Sequence, residues 1–245
     1  MNKNQIERYK RNILLKDFGE AGQKKLLESS VCVIGAGGLG SPVLLNLAAV
    51  GVGRLGVVDS DRVELSNLQR QIIHFTQDIG KDKTASAKEK IEKINPDIKV
   101  DVFQERFTSE NALEIINDYD FIIDATDNFE SKFLINDVCV KANKPFSHAG
   151  ILGYQGQAMT IIPGKSACYR CVFHDIPSKD SIKTTAQLGV LGPVAGILGL
   201  IQATEAVKYL LKIGELLLNT ILTYDALKME FRKVGVSADN RCCLI

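Results

Sequence analysis

Net charge is the first thing this sequence lacks. Thirty lysines and arginines face 29 acids across 245 residues, a formal charge of +1. A nucleic-acid binder ordinarily carries a clustered basic excess, so that class is disfavoured. A pocket for a nucleotide or a carboxylate must then be a local concentration of charge made by folding. Also missing is the apolar core of a signal peptide, because the N-terminus MNKNQIERYKRN is polar and charged. Long apolar runs are scarce. One uncharged stretch, Thr184 to Thr204, has 21 residues, enough to raise the question of a membrane span. Its three threonines, two glutamines, Pro193 and four glycines favour a buried helix in a soluble protein instead. Gly192, Gly196 and Gly199 share one helical face, which suits close packing against a sheet or a second subunit. No repeat, low-complexity tract or linker divides the chain, so residues 1–245 read as a single domain.

Six cysteines are present. Cys32 lies in an apolar strand pattern and Cys139 in a helical one, where cysteine behaves as a small buried hydrophobe. Cys168, Cys171, Cys242 and Cys243 look like a metal cluster or its remnant. Without a secretion signal, a reducing cytoplasmic setting is expected.

Through the first half, apolar strands alternate with amphipathic helices. That pattern predicts a Rossmann-like, doubly wound, mainly parallel sheet. VCVIGAG from Val31 reads as a strand entering a glycine turn, followed by a helix ended by Gly51 or Gly53. RLGVVDSD, IKVDVFQERF and FIIDATDN read as further strands. Helices are expected over Lys81–Asn95, stopped by Pro96, and over Ser109–Asn117 and Phe129–Asn143. Beyond Pro145 a strand and a hairpin around Gly153 to Gly156 are expected. A cysteine loop, the buried helix and two last strands, TILTYDA and KMEFRKVGV, then continue the sheet in antiparallel fashion. The expected plan is N-terminal helices over 1–29, the wound sheet, and a C-terminal crossover loop with strands over 164–245.

Gly35, Gly37 and Gly40 form a G-x-G-x-x-G that follows a strand and opens a helix. Glycine permits the tight turn and lets a phosphate approach backbone N–H groups at the helix N-terminus. Asp59 ends the next strand, 19 residues after Gly40, where a carboxylate can hold ribose hydroxyls. Glycines that merely allow close packing are the plain alternative. The loop alone does not separate NAD from ATP.

The following segment, SDRVELSNLQRQ, brings Asn67, Gln69 and Arg70 close after that strand, with Lys83 on the next helix. An enzyme directing attack on the α-phosphate of ATP must neutralise charge on the triphosphate and the five-coordinate transition state. Arg70 and Lys83 can supply it, arginine through its fork. Asp127 can hold Mg²⁺, a hard cation that favours carboxylate and phosphate oxygens. Each residue also has a plain reading: Lys83 on a solvated lysine-rich face, Asp127 and Asn128 as helix caps, Arg70 in a surface pair.

The chain resembles the ThiF/MoeB/HesA family of ubiquitin-activating-enzyme-like adenylyltransferases. The likeness runs from about Arg8 to the end, on RYKRNILL, GAGGLGSP, VVDSDRVELSNLQRQ, GKDKTASA, DATDN, CYRC, GPVAGILGLIQATEAVK and YDA. It implies a single adenylation domain whose ATP site is lined by Gly35, Gly37, Gly38, Gly40, Asp59, Ser66, Asn67, Leu68, Gln69, Arg70, Lys83, Asp127 and Asn128. Arg70, Lys83 and Asp127 would be catalytic, joined by Arg11 reaching across from the other subunit of a homodimer. The arginine that relatives often carry shortly after TDN appears here as Lys132, which keeps the charge and loses the fork.

The implied reaction is attack by the terminal glycine carboxylate of a ubiquitin-like sulfur carrier such as MoaD or ThiS, with a Gly-Gly tail, on the α-phosphate of MgATP. Pyrophosphate leaves, and a separate sulfur-donor protein then supplies sulfur. A carboxylate is already ionised at neutral pH, so no general base is needed.

Two departures stand out. Relatives complete a four-cysteine zinc site with a second C-x-x-C, whereas here Cys242 and Cys243 are adjacent. Adjacent cysteines ligate one zinc only in a strained geometry, so a zinc site and a lapsed site with free thiols both stand. Many relatives also carry a cysteine in the crossover loop where TTAQLGV places Thr185. A hydroxyl is far less acidic than a thiol, so no covalent relay is expected there. Adenylation of another peptide or small-molecule carboxylate or amide, an NAD-dependent dehydrogenase and a carrier-binding scaffold are the competing readings.

Overall fold

The computed structural model describes residues 1–176 and 185–238. Its centre is an eight-stranded sheet in the order β3-β2-β1-β4-β5-β6-β7-β8. The strands are β1 (Ser30–Ile34), β2 (Arg54–Val58), β3 (Lys99–Phe103), β4 (Phe121–Asp124), β5 (Phe146–Leu152), β6 (Gln155–Ile161), β7 (Thr220–Asp225) and β8 (Glu230–Gly235). From β3 to β5 every neighbouring pair is parallel, and from β5 to β8 every pair is antiparallel. The central strands β1 and β4 are buried along their whole length. They are near-continuous apolar runs because helices cover both faces, leaving no solvated side to alternate with. β5 turns into β6 through Gly153 and Tyr154, with Leu152 opposite Gln155 and Gly153 at φ +59°.

The N-terminal helices are α1 (Lys3–Ile13) and α2 (Gly19–Leu27). A capping box between Asn2 and Gln5 starts α1. Helix α3 (Gly40–Val50) leaves the glycine turn directly and stops at Gly51, left-handed at φ +90°, earlier of the two stops expected. Helix α4 (Lys83–Ile94) starts two residues later than its charge pattern suggested, because Lys81 and Asp82 are spent on a turn whose Lys81 carbonyl accepts from Val63. Helix α5 (Ala112–Asn117) also starts late, since the Asn111 carboxamide accepts from the Thr108 N–H and holds 108–111 as a turn. Helix α6 (Phe129–Lys141) is capped by Asn128. The short α7 (Tyr169–Val172) carries Cys171, and the short α8 (Thr185–Leu188) precedes α9 (Gly192–Leu211).

The helix expected within 184–204 thus lies further along, starting with Pro193 in its first turn. By length and composition α9 could cross a membrane, with a mean hydropathy of 1.4. Here it packs against α3, β5 and β6, and Leu198, Ala203 and Ala206 join the core. Gly192 and Gly199 pack on the loop at Gln69 and the start of α3, and not on the sheet. A Cβ on Gly199 would sit 2.5 Å from the Leu39 carbonyl oxygen, and one on Gly192 2.5 Å from that of Gln69, while Gly196 faces open space.

Candidate functional site

Parallel strands present their carboxyl ends to one edge, and where the winding reverses between β1 and β4 a crevice opens. A cleft of about 270 Å³ occupies that crevice. Its floor is the glycine turn. Gly35 sits at φ +102°, and a Cβ there would lie 2.7 Å from the Ala125 carbonyl oxygen. A Cβ on Gly40 would fall 1.9 Å from the Gly35 carbonyl oxygen, so Gly40 serves turn–helix packing and does not face the cleft. Gly37 and Gly38 do line it.

Asp59, at the end of β2, also lines the cleft. Its Oδ2 accepts from the Ala36 N–H at 2.8 Å and its Oδ1 from the Asp61 N–H at 2.9 Å. Burial raises its pKa, opposed chiefly by the Lys83 charge. Lys83, first residue of α4, is itself buried and donates to Asp61 Oδ2 at 2.8 Å. Arg70 donates to the Ser66 carbonyl at 3.2 Å. Its stem is gripped between two glycines, since a Cβ on Gly38 would lie 3.3 Å from Arg70 Cγ and one on Gly192 3.4 Å from Arg70 Cα. Asp127, exposed, and Asn128 complete the rim beyond β4. The Asn128 carboxamide oxygen accepts from the Ser131 N–H at 2.8 Å, so its capping role is real as well.

Other expected residues fall outside the cleft lining. Of Ser66, Asn67, Leu68, Gln69 and Arg70, only Arg70 lines it. The 3-10 turn Leu65–Asn67 explains the difference: Asn67 is buried and its Oδ1 accepts from the Glu64 N–H at 3.2 Å, closing that turn. Ser66 donates to Glu64 Oε2 at 3.3 Å, and Gln69 offers its backbone to Gly192. Arg11 is exposed on α1, away from this chain's own cleft. Lys132 does not carry its charge into the cleft either. It is buried and donates to Asp124 Oδ2 at 3.3 Å, the Thr126 carbonyl at 2.7 Å and the Ala149 carbonyl at 2.8 Å. Burial alone would raise the Asp124 carboxyl, but Lys132 and His148 beside it reverse that and hold it well below the usual carboxylate range.

Sequence reasoning missed several wall residues: Asp61, Gln71, Glu105, Arg106, Phe107 and Thr126. A signal existed for some, since whatever follows a parallel strand's carboxyl end faces the same edge. Gln71 closes the SNLQRQ motif, yet no role was read for it.

Cys168 Sγ and Cys171 Sγ lie 3.6 Å apart, close to the ~3.8 Å that two thiolates on one tetrahedral zinc would show. Cys242 and Cys243 lie outside the described residues, as does the Thr185 side chain. Among the described residues no three His, Cys, Asp or Glu side chains cluster as a metal site. A magnesium ion held mainly by nucleotide phosphates and one carboxylate does not need such a cluster, and Asp127 on the rim fits that part.

Sheet order, switch-point crevice, glycine floor and flanking cations define a doubly wound α/β enzyme with a nucleotide-type cleft. The chain belongs to the ThiF family, whose sequence profile matches residues 9–245, and it is an adenylyltransferase. It is 42% identical to the sulfur carrier protein adenylyltransferase of Thermus thermophilus, covering 98% of this chain and 90% of that one. It is 44% identical to the SAMP-activating enzyme E1 of Haloferax volcanii, covering 97% and 88%. The crystal structure of E. coli MccB with ATP superposes with a TM-score of 0.86 at 26% identity, over 99% of this chain and 75% of that one.

Proposed function

We propose that this protein uses ATP to adenylate the C-terminal glycine carboxylate of a ubiquitin-like sulfur carrier, releasing pyrophosphate. The observation that carries this reading is the arrangement of Arg70, Lys83 and Asp127 around the Gly37–Gly38 floor of one cleft. The carrier's carboxylate oxygen attacks the α-phosphorus, a P–O bond forms, and the bond to the bridging oxygen of the β-phosphate breaks. Lys83 and Arg70 stabilise negative charge on the phosphates, and Asp59 accepts from the ribose hydroxyls. Magnesium, held by Asp127 and phosphate oxygens, would add further charge neutralisation when bound. Threading a flexible Gly-Gly tail to the α-phosphate makes the attack effectively intramolecular. A separate donor protein then supplies sulfur to the acyl-adenylate, with no covalent relay through Thr185.

Arg11 is proposed to act on the cleft of a second copy in a homodimer. Its exposure on α1, outside its own cleft, supports this. A structural zinc on Cys168 and Cys171 is supported by their sulfur spacing. The buried, unpaired thiols Cys32 and Cys139 fit the proposed cytoplasmic setting.

A second reading, adenylation of another peptide's carboxylate or amide, is favoured by the likeness to MccB, which has been crystallised with MccA. Pyrophosphate exchange into ATP decides between them. Exchange is expected only with partners ending in Gly-Gly, and to fall sharply in Asp127→Ala and Arg70→Ala. Exchange undiminished by both substitutions removes these roles.

A further inference from the structure

Beneath the glycine turn runs a line of buried polar side chains with no part in the chemistry above. His74, 3% exposed, sits between the 3-10 turn and α4. Its Nε2 lies 3.0 Å from the Ala36 carbonyl oxygen and its Nδ1 2.9 Å from Ser86 Oγ. A carbonyl only accepts, so Nε2 carries the hydrogen and Nδ1 accepts from the Ser86 hydroxyl. Ser86 in turn accepts from Lys90 Nζ at 3.2 Å, and Lys90 is paired with the buried Asp78. Desolvation lowers the imidazole to about 4, which keeps the ring neutral and this tautomer in place.

The line is directed throughout, from Lys90 through Ser86 and His74 to the glycine turn. At its far end the same residue, Ala36, is held from the other side, because its N–H donates to Asp59. At its near end Ser86 and Lys90 follow Lys83 at i+3 and i+7 and so share its face of α4. His74 is the one imidazole in this line, and it bridges the helix that carries Lys83 to the turn that floors the cleft.

We propose that His74 is a positioning residue that locks the glycine turn to α4, so that the Gly37–Gly38 backbone and the Lys83 ammonium meet nucleotide phosphates as one preformed cradle. The proposal rests on the nucleotide reading of the cleft. It concerns binding of ATP and not of the carrier. A histidine that only filled space would be replaceable by an apolar side chain without selective loss of ATP.

The test is calorimetric titration of the full-length protein with MgATP, for wild type, His74→Gln and His74→Leu, with thermal melting of each. Glutamine keeps an N–H donor at similar reach, whereas leucine leaves the Ala36 carbonyl unpaired. His74→Gln is expected within about 3-fold of wild type, and His74→Leu weaker by about 10-fold or more, the scale of a lost buried hydrogen bond. In exchange assays KM for ATP should rise in His74→Leu while KM for the carrier stays put. A folded His74→Leu that binds ATP as wild type does, or loses ATP and carrier affinity equally, overturns the strut. Should His74→Leu fail to fold, Ser86→Ala supplies the readout: it removes the donor to Nδ1, and unchanged ATP affinity in it overturns the proposal. Wild-type protein that binds no ATP takes down the nucleotide reading together with the strut, whereas wild-type binding with an unmoved variant sinks the strut alone.

Discussion

Lys83 and Asp61 form an ion pair of 2.8 Å in which the ammonium is 7% exposed and the carboxylate 66%. The cation is therefore fixed by the fold, while its partner stands largely in water. A triphosphate, with more charge and several oxygens, can take Asp61's place without moving the lysine. Lys83→Met should cost modest stability, because the exposed Asp61 carboxylate is solvated on its own while Asp59 loses the charge that opposes its desolvation. The larger cost should fall on rate: pyrophosphate exchange is expected to drop about 10²–10³-fold in protein that urea denaturation shows to be folded.

The two glycines at either side of the turn should respond differently to alanine. Gly40→Ala drives a methyl onto the Gly35 carbonyl oxygen, 1.9 Å away, and the turn must shift. A loss of about 3 kcal/mol or more is expected, at the upper end of overpacking costs. Gly37→Ala meets only Gln71 Nε2 at 3.6 Å, an ordinary contact, so the fold should persist while a methyl intrudes on the cleft. Chemical denaturation with ATP titration separates the two outcomes.

Lys132 offers a third check, since its partner Asp124 is only 1% exposed. Removing one member of a buried ion pair leaves a charge without compensation, at roughly 3–5 kcal/mol. Lys132→Met should therefore lower the melting temperature strongly, yet leave KM for ATP unaltered in whatever protein folds. A selective rise in KM with intact stability would mean that the lysine acts on phosphate after all.

Stability should also depend on pH through His74. Its folded pKa of about 4 lies below the ordinary value of 6.5, so the unfolded chain binds the proton more readily. The contribution is full above pH 6.5 and is lost as pH falls through about 4. Burial lowers His148 in the same direction. Urea midpoints measured from pH 7.5 to pH 4 should decline in wild type, and His74→Gln should flatten part of that decline.

For the cysteine pair, elemental analysis of purified protein is expected to find zinc near one per chain, lost in Cys168→Ser. Equal metal content in both would exclude Cys168 as a ligand.

Much of this was legible in the order of residues. Strand and helix identities follow from hydrophobic period, and the glycine turn and Asp59 from local backbone chemistry, so both were readable before any contact was known. Helix starts were misread where a side chain closes a preceding turn, as Asn111 does for α5. The SNLQR run was read as five cleft residues because its likeness to other sequences carries no direction. Direction depends on the 3-10 turn, which spends Asn67 on its own backbone and leaves Arg70 to face the nucleotide side.

What the chain determined alone, then, is the βα order, the turn that only glycine can make and the stock of charges near it. Tertiary structure decided which charges are used. Lys83 and Lys132 are both buried lysines, one aimed at the cleft and the other at Asp124 beneath it. His74 meets Ala36 across 38 residues of sequence. Local propensity acts over a few residues, whereas the direction of a buried charge is set by the nearest group able to compensate its desolvation, and folding alone brings that group near.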